Sequence, residues 1–436
     1  MRDEQSPGQS HNAPGAGPAI ASSSSSLPDI NVETYPFELV QHLLDQAAFF
    51  NLYSVAEPGR SGTALPAPGN SGGKIGFRLS DALHRFDVHL HPPSKNASLK
   101  ATNIVGETVG RFTQRWMIIP DGFVALPNQE PPPTLLDTSR QQRFVMLDAT
   151  CSFGDGRDGF RGFGTGLTFP VTDGGRSQLL AAAVGNIMEG FGKFRGHEGT
   201  YTYCGSLSPE NGFRGNLLCR VMDPEGSLRT EAAVPTPEPE GVEVEPGFTY
   251  VMFRGQKKDR SQRTSYIFGP DGQINGLNVS QQLRLFQIDS TTRGRGSLRS
   301  MGDVGQVIGR MTARINFNLL NPGAPGTGVA PIPFKSYNEY TFLDGDDGEV
   351  IGSLVGDGGE GRTFNLRLSG APGQAALRFG GFGPLRNGTG CFAGIEGLMT
   401  DNSVVGIAPH ALSTLYVLRI NDPERKYRAD AGETRR

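Results

Sequence analysis

Cysteine is scarce in this chain: Cys151, Cys204, Cys219 and Cys391 are the four in 436 residues, and no CxxC pair occurs. That excludes a disulfide scaffold and a CxxC-type zinc site, and it fits a reduced compartment. No apolar run approaches the ~20 residues that a membrane-spanning helix needs. No basic stretch leading into an apolar one opens the chain, so no classical signal peptide is read and a cytoplasmic protein is expected. The Asn-x-Ser/Thr triplets at Asn96, Asn278 and Asn387 then carry no weight. Charge of one sign is also lacking: 41 Lys and Arg stand against 44 Asp and Glu, for a net charge of -3. Nucleic-acid surfaces are usually strongly basic, so no nucleic-acid partner is expected. HExxH and P-loop motifs are absent. The GxGxxG-like runs follow no βαβ pattern, which excludes a dinucleotide site. The Asp-Gly loops at 154–159 and 345–348 lack the spaced oxygens and closing Glu of a calcium loop, and hairpin turns explain them better. No cofactor is expected.

What the chain has in abundance is glycine, 61 residues, with 31 prolines, a composition of turns and bulges rather than long helices. It also repeats itself. Gly106–Arg115 (GETVGRFTQR) matches Gly305–Arg314 (GQVIGRMTAR) at an offset of 199 residues. The same offset maps Ser98-Leu99-Lys100 onto Ser297-Leu298-Arg299, and Arg220…Asp223-Pro224-Glu225 onto Arg419…Asp422-Pro423-Glu424. Between them, Gly190–Leu207 matches Gly381–Leu398 at an offset of 191, which implies a net deletion in the second copy. Two copies mean a pair of domains rather than a solenoid.

Residues 1–30, rich in Ser, Pro, Gly and Ala, form a disordered tail. Residues 31–73 hold a helix and a lead-in segment. Thr34 can cap that helix, Pro36 suits its first turn, and Leu39, Val40, Leu43, Leu44, Ala47 and Ala48 make an apolar stripe. From Lys74 the pattern becomes β, with Phe86, Val88 and Leu90 alternating with Asp87, His89 and His91. Short alternating segments separated by Gly and Asp clusters follow, as in an antiparallel sandwich or closed barrel. The expected organisation is a first barrel over 74–230, a Pro/Glu-rich solvated linker over 231–248, a second barrel over 249–430 and a tail over 431–436.

Several motifs then fall into a known order. Phe153-Gly154-Asp155-Gly156, Gly162-Phe163-Gly164-Thr165-Gly166 and Leu180–Phe194 resemble successive elements of the allene oxide cyclase and dirigent barrel family. In the second copy, Gln281–Gly296 resembles that family's first strand and loop, and Met301–Arg314 resembles its Gly-Asp…Phe-Thr stretch. The resemblance implies an all-β protein of two tandem eight-stranded antiparallel barrels with one short N-terminal helix. A barrel of that size is filled by side chains or holds one small ligand. It also implies the site positions. The family's barrel Glu and following Asn fall on Asp87 and His89 in the first copy, and on Gln287 and Asp289 in the second. The Asn after Phe-Thr falls on Gln114 and Ala313. Neither copy keeps the family's set.

Asp87, His89 and His91 share one face of a strand. That face reads as solvated, as a lumenal acid/base group or as a metal site; a carboxylate beside an imidazole can tune both groups toward neutrality. Glu189 and the His197-Glu198 pair read as surface groups, and Asp148 and Asp344 align as an architectural pair. Arg111 and Arg310, like Arg115 and Arg314, recur as salt-bridge partners or as anchors for an acidic ligand.

The expected function is that of an isomerase or cyclase acting on a hydrophobic small molecule in specialised metabolism. Asp87, His89 and Gln114 would be catalytic, and His91, Arg111, Gln287 and Asp289 would bind the ligand. The first copy would carry the site. The alternatives are a non-catalytic carrier or scaffold for an apolar ligand, or a dirigent-like protein steering coupling. The two barrels are expected to pack on each other, with further oligomerisation open.

Overall fold

In the computed structural model the described residues are 36–69, 72–92, 99–123, 130–173, 176–208, 212–230, 242–259, 262, 264–270, 272, 274–293, 297–317, 332–345, 348–366, 376–406 and 411–429. The N-terminal tail, most of the linker and the C-terminal tail lie outside them. Two closed eight-stranded antiparallel barrels stand in tandem. The first runs β1 (Ala47–Ala56), β2 (Thr63–Pro66), β3 (Lys74–His91), β4 (Lys100–Ile118), β5 (Gln142–Phe153), β6 (Asp158–Asp173), β7 (Arg176–Phe191), β8 (Gly199–Ser208) and β9 (Gly212–Met222). Neighbours in sequence pair, β1 closes the ring by pairing with both β9 and β3, and β2 flanks β3. The second repeats the plan with β10 (Phe248–Gln256), β11 (Ser265–Phe268), β12 (Ile274–Arg293), β13 (Ser297–Phe317), β14 (Ile332–Leu343), β15 (Val350–Leu366), β16 (Ala376–Gly390), β17 (Gly397–Gly406) and β18 (Leu412–Asn421).

The helix α1 covers Phe37–Asp45, directly after Pro36; Thr34 lies outside the described residues. Ala47 and Ala48 are not part of its apolar stripe. They begin β1, so the segment read as a lead-in supplies the strand that closes the first barrel. The reason is visible in AAFFNLYSVA: both faces of this strand are buried, so it shows no alternation. Ala48, Phe50 and Leu52 point into the first lumen, while Ala47, Phe49 and Tyr53 join the seam between the barrels.

Strand register defines the duplication residue by residue. Thr200 pairs with Arg220 and Leu398 with Arg419, so β8 and β17 correspond at an offset of 198. The 191-residue match is therefore out of register, and no large deletion separates the copies there. Both glycines of the turn after β7 reappear after β16 with the same backbone: Gly192 (φ 60°) as Gly390 (φ 57°), and Gly196 (φ 81°) as Gly394 (φ 78°). Gly-rich segments match one another at several offsets, which is how the slip arose. Asp148 and Asp344 are likewise not equivalent. Asp148 sits within β5 at φ 55°, and Asp344 lies just beyond the end of β14.

The seam has pseudo-twofold symmetry. Phe49 meets Phe286 edge to face at 5.4 Å, and Phe86 meets Tyr250 in the same way at 5.3 Å. These are equivalent pairs by register. Val40 and Leu44 of α1 are wholly buried in this seam, and the Gln41 side chain accepts the Leu412 N–H at 3.1 Å. The linker is not wholly solvated either: Val244 and Glu245 are buried at the seam, where Glu245 accepts from Ser206 of the first barrel and from Arg419 of the second.

Candidate functional site

The two lumens differ. In the first, Trp116 stacks on Phe144 at 4.3 Å and meets Phe213 at 5.1 Å and Tyr203 at 5.7 Å edge to face. Rings fill the middle of this barrel. By register, Trp116 corresponds to Ile315, Tyr203 to Asp401, Phe213 to Leu412 and Leu217 to Tyr416. The smaller side chains of Ile315, Asp401 and Leu412 leave a cavity of about 20 Å³ in the second barrel, and Tyr416 brings a hydroxyl to it. That is room for about one water molecule.

One wall of the cavity is polar and ordered by its own hydrogen bonds. Tyr416 donates to Gln281 Oε1 at 2.7 Å, and Gln281 Nε2 donates to Thr414 Oγ1 at 3.1 Å. Ser403 Oγ lies 2.9 Å from Thr414 Oγ1 and 3.4 Å from Asp401 Oδ1, which also accepts the Gly381 N–H at 3.0 Å. Ser336 and Asn338 complete this wall, and the Ser336 hydroxyl has no hydrogen-bond partner among the described residues. The other wall is apolar: Val279, Met311, Ala313, Ile315, Phe334, Phe379 and Leu412. Every one of these residues comes from a strand, so the site is set by barrel closure rather than by loops.

Burial pushes the Asp401 carboxyl up to about 7, against the lowering effect of the Gly381 N–H and Ser403. Near neutral pH this group can therefore both give and take a proton. Tyr416 and Tyr340 are held far above their usual range, first by burial and then by neighbouring groups including Asp401, and so remain proton donors. The far end of the lumen is closed by Phe392, which packs on Phe342 at 4.4 Å. In the first barrel Asp81 is buried, with Ser54 donating to Oδ2 at 2.8 Å and Ser61 to Oδ1 at 2.6 Å. Burial raises its carboxyl to about 6.

None of the residues expected to be catalytic or ligand-binding lines the second-barrel cavity; of the positions aligned with the family's site, Ala313 does. Asp87 is buried and held by Arg85 through Nε–Oδ1 (3.2 Å) and Nη2–Oδ2 (3.1 Å). His91 Nε2 lies 2.9 Å from Thr102 Oγ1, and His89 pairs with Thr102 in the strand register. These residues occupy the part of the β3–β4 hairpin whose Leu90, Leu99 and Ala101 pack into the second barrel's core. Gln114 is buried beside Leu79, with neither amide atom partnered among the described residues. Asp87 pairs with Ile104, so ten residues of β4 separate it from Gln114, roughly 33 Å at the rise of a strand. The structure does not bring Asp87, His89 and Gln114 together. Arg111 makes a surface ion pair with Glu57 at 2.8 Å. Gln287 pairs with Asp303, and Asp289 with Met301 on β13; the Asp289 side chain lies outside the description. Among the described residues no three His, Cys, Asp or Glu side chains converge as a metal site.

Sequence reasoning missed Asp401, Ser403, Gln281, Asn338 and Tyr416. The signal was the Tyr203-to-Asp401 exchange between copies, which the slipped 191-residue alignment hid. Comparison with protein-family models, with curated proteins and with solved structures gives no match for this chain. No helix among the described residues is long and apolar enough to cross a membrane.

Proposed function

We propose that the second barrel binds a small, largely apolar molecule bearing a carbonyl or hydroxyl oxygen, and that Asp401 exchanges a proton with it. The chain would then be an isomerase or cyclase, related in mode to the allene oxide cyclase and dirigent barrels that its motifs resemble. The observation that carries this reading is the buried Asp401 carboxyl, near neutrality, at the edge of a half-apolar cavity. The strands around the cavity, which now has room for about one water, would part so that the apolar wall holds the substrate body near its reactive conformer. Gln281, Thr414 and Ser403 would keep Asp401 and the substrate oxygen in fixed orientation, while Ser336 offers an unused hydroxyl. All four thiols are free, as they would be in a cytoplasmic isomerase.

Native mass spectrometry with organic extraction, on protein from its own host, is the test. We expect a stoichiometric apolar molecule that the wild type converts. Asp401→Asn should still bind it and lose turnover by about 10²-fold or more, the usual worth of a general acid/base. A ligand recovered unchanged from both proteins would reduce the barrel to a carrier. An empty protein that takes up no polyene or phenolic compound would overturn the reading altogether.

A further inference from the structure

The two barrels share a pair of surface arginines but not the acids that answer them. In the first barrel, Arg111 donates to Glu57 Oε1 at 2.8 Å, and Ser80 donates to Glu57 Oε2 at 2.7 Å. Arg115 reaches Glu130 at 2.7 Å and Asp148 at 3.3 Å. Register carries both arginines into the second barrel: Arg111 pairs with Ala82 as Arg310 does with Gln282, and Arg115 with Arg78 as Arg314 does with Asn278. None of the acids follows. Val55 lies between Ala82 and Arg214, and Gln256 between Gln282 and Ser413, which puts Lys258 at the position of Glu57. Asp148 belongs to a bulge in the pairing of β4 with β5, and β13 and β14 pair without one. Residues 318–331, which join β13 to β14 as the segment carrying Glu130 joins β4 to β5, contain no Asp or Glu.

Arg310 and Arg314 are exposed and make no hydrogen bond or ion pair with a described residue. Tyr337, 45% exposed, stands opposite Arg314, and the exposed Lys335 stands opposite Asn316. Glu360, beside Lys335 on β15, is already taken by Arg143. Glu339 stands opposite Thr312 without an ion pair to either arginine, and Asp259 adjoins Lys258. The face is therefore cationic around an exposed tyrosine, and Arg and Tyr are the side chains enriched where proteins meet. We propose that it docks an extended acidic segment of a partner protein, whose carboxylates take the places that Glu57, Glu130 and Asp148 hold in the first barrel. Arg310 and Arg314 are four strand residues apart, roughly 13 Å, with both side chains on the same face. One small anion cannot reach both. An extended segment with acids four residues apart matches the spacing, and the planar fork of each guanidinium suits a carboxylate. The first barrel offers no such site, because its own acids already occupy Arg111 and Arg115.

Fluorescence anisotropy of the full chain tests this, with a labelled peptide carrying glutamate at every fourth position and with its glutamine twin. The glutamate peptide should bind, the glutamine twin should not, and binding should weaken as salt rises. Arg310→Glu combined with Arg314→Glu should weaken it about tenfold or more, since two exposed ion pairs give way to repulsion. Arg157→Glu with Arg161→Glu makes the same charge change at exposed positions of the first barrel and should leave binding nearly unchanged. Lys258→Glu rebuilds the first barrel's acid beside Arg310 and should also weaken the peptide, which keeps the test decisive if the double variant fails to fold. No binding of the glutamate peptide, equal binding of its glutamine twin, an equal loss in the Arg157 and Arg161 control, or no loss with Lys258→Glu would each overturn the proposal. So would binding to phosphatidylserine vesicles in preference to the peptide, which would make the face a lipid-binding one.

Discussion

Asp401 sets a pH dependence that can be worked out in sign. Its folded-state value of about 7 stands above the ordinary 3.8. Between those values the folded chain keeps a proton that the unfolded chain has released. Stability therefore falls as pH rises through this window, by at most about 1.4 kcal/mol per unit, and levels off above pH ~7. Asp81, raised to about 6, acts in the same direction over a shorter window. Asp401→Asn removes the larger share. Thermal unfolding should show the variant more stable than wild type by about 1–3 kcal/mol near pH 8, and nearly equal to it near pH 4. A variant less stable than wild type near pH 8 would mean that the carboxylate is well solvated in the fold.

At the scale of elements, the turn after β7 and its twin after β16 are the most closely repeated pieces of the molecule. In each, glycines at left-handed φ carry the chain tightly around, and a phenylalanine two residues past the first of them is driven into the barrel end. Phe194 stacks on Phe153 at 5.2 Å and lies 5.7 Å from Phe50; Phe392 packs on Phe342. Phe194→Ala should cost about 3–5 kcal/mol, read as a lower urea midpoint with unchanged slope. A loss below ~1 kcal/mol would show that neighbouring rings close the gap. The opposite end of the second barrel, where the strands lead into residues 318–331, 367–375 and 407–410, is the end at which the cavity lies.

At the scale of the whole molecule, the seam is fastened by two equivalent buried arginines that solved burial differently. Arg220 donates to the carbonyls of Leu44 and Ser413, both at 2.8 Å, and lies over the Phe49 ring; burial pushes it down to about 9. Arg419 lies over Phe248 and donates to Glu245 at 2.5 Å. Burial would lower it too, but Glu245 outweighs that and raises it. Ser206 and Tyr250 also donate to Glu245, at 2.5 and 2.8 Å. Glu245→Ala should therefore cost about 3–5 kcal/mol by leaving Arg419 buried and uncompensated. Combining Glu245→Leu with Arg419→Met should recover most of that loss. Urea unfolding followed by tyrosine and tryptophan fluorescence checks both, and a single transition for the pair of barrels is expected in the wild type.

Much of the fold was legible in the order of residues because strand alternation and turn chemistry are local. The segments from Lys74 onward, the Asp-Gly turns, the 199-residue repeat and the tandem barrels all follow from patterns a few residues long. β1 was not legible, since a strand buried on both faces has no alternation to read. The site was not legible either. Whether a barrel is filled or hollow depends on side-chain volumes summed over eight strands, and those strands meet only after closure. Trp116, Phe213 and Tyr203 fill one lumen; Ile315, Leu412 and Asp401 leave a small cavity in the other. The sequence by itself determined most of the strands and their duplication. Only the tertiary structure decided which lumen is hollow and which carboxylate it encloses, because register and packing volume are properties of the closed ring.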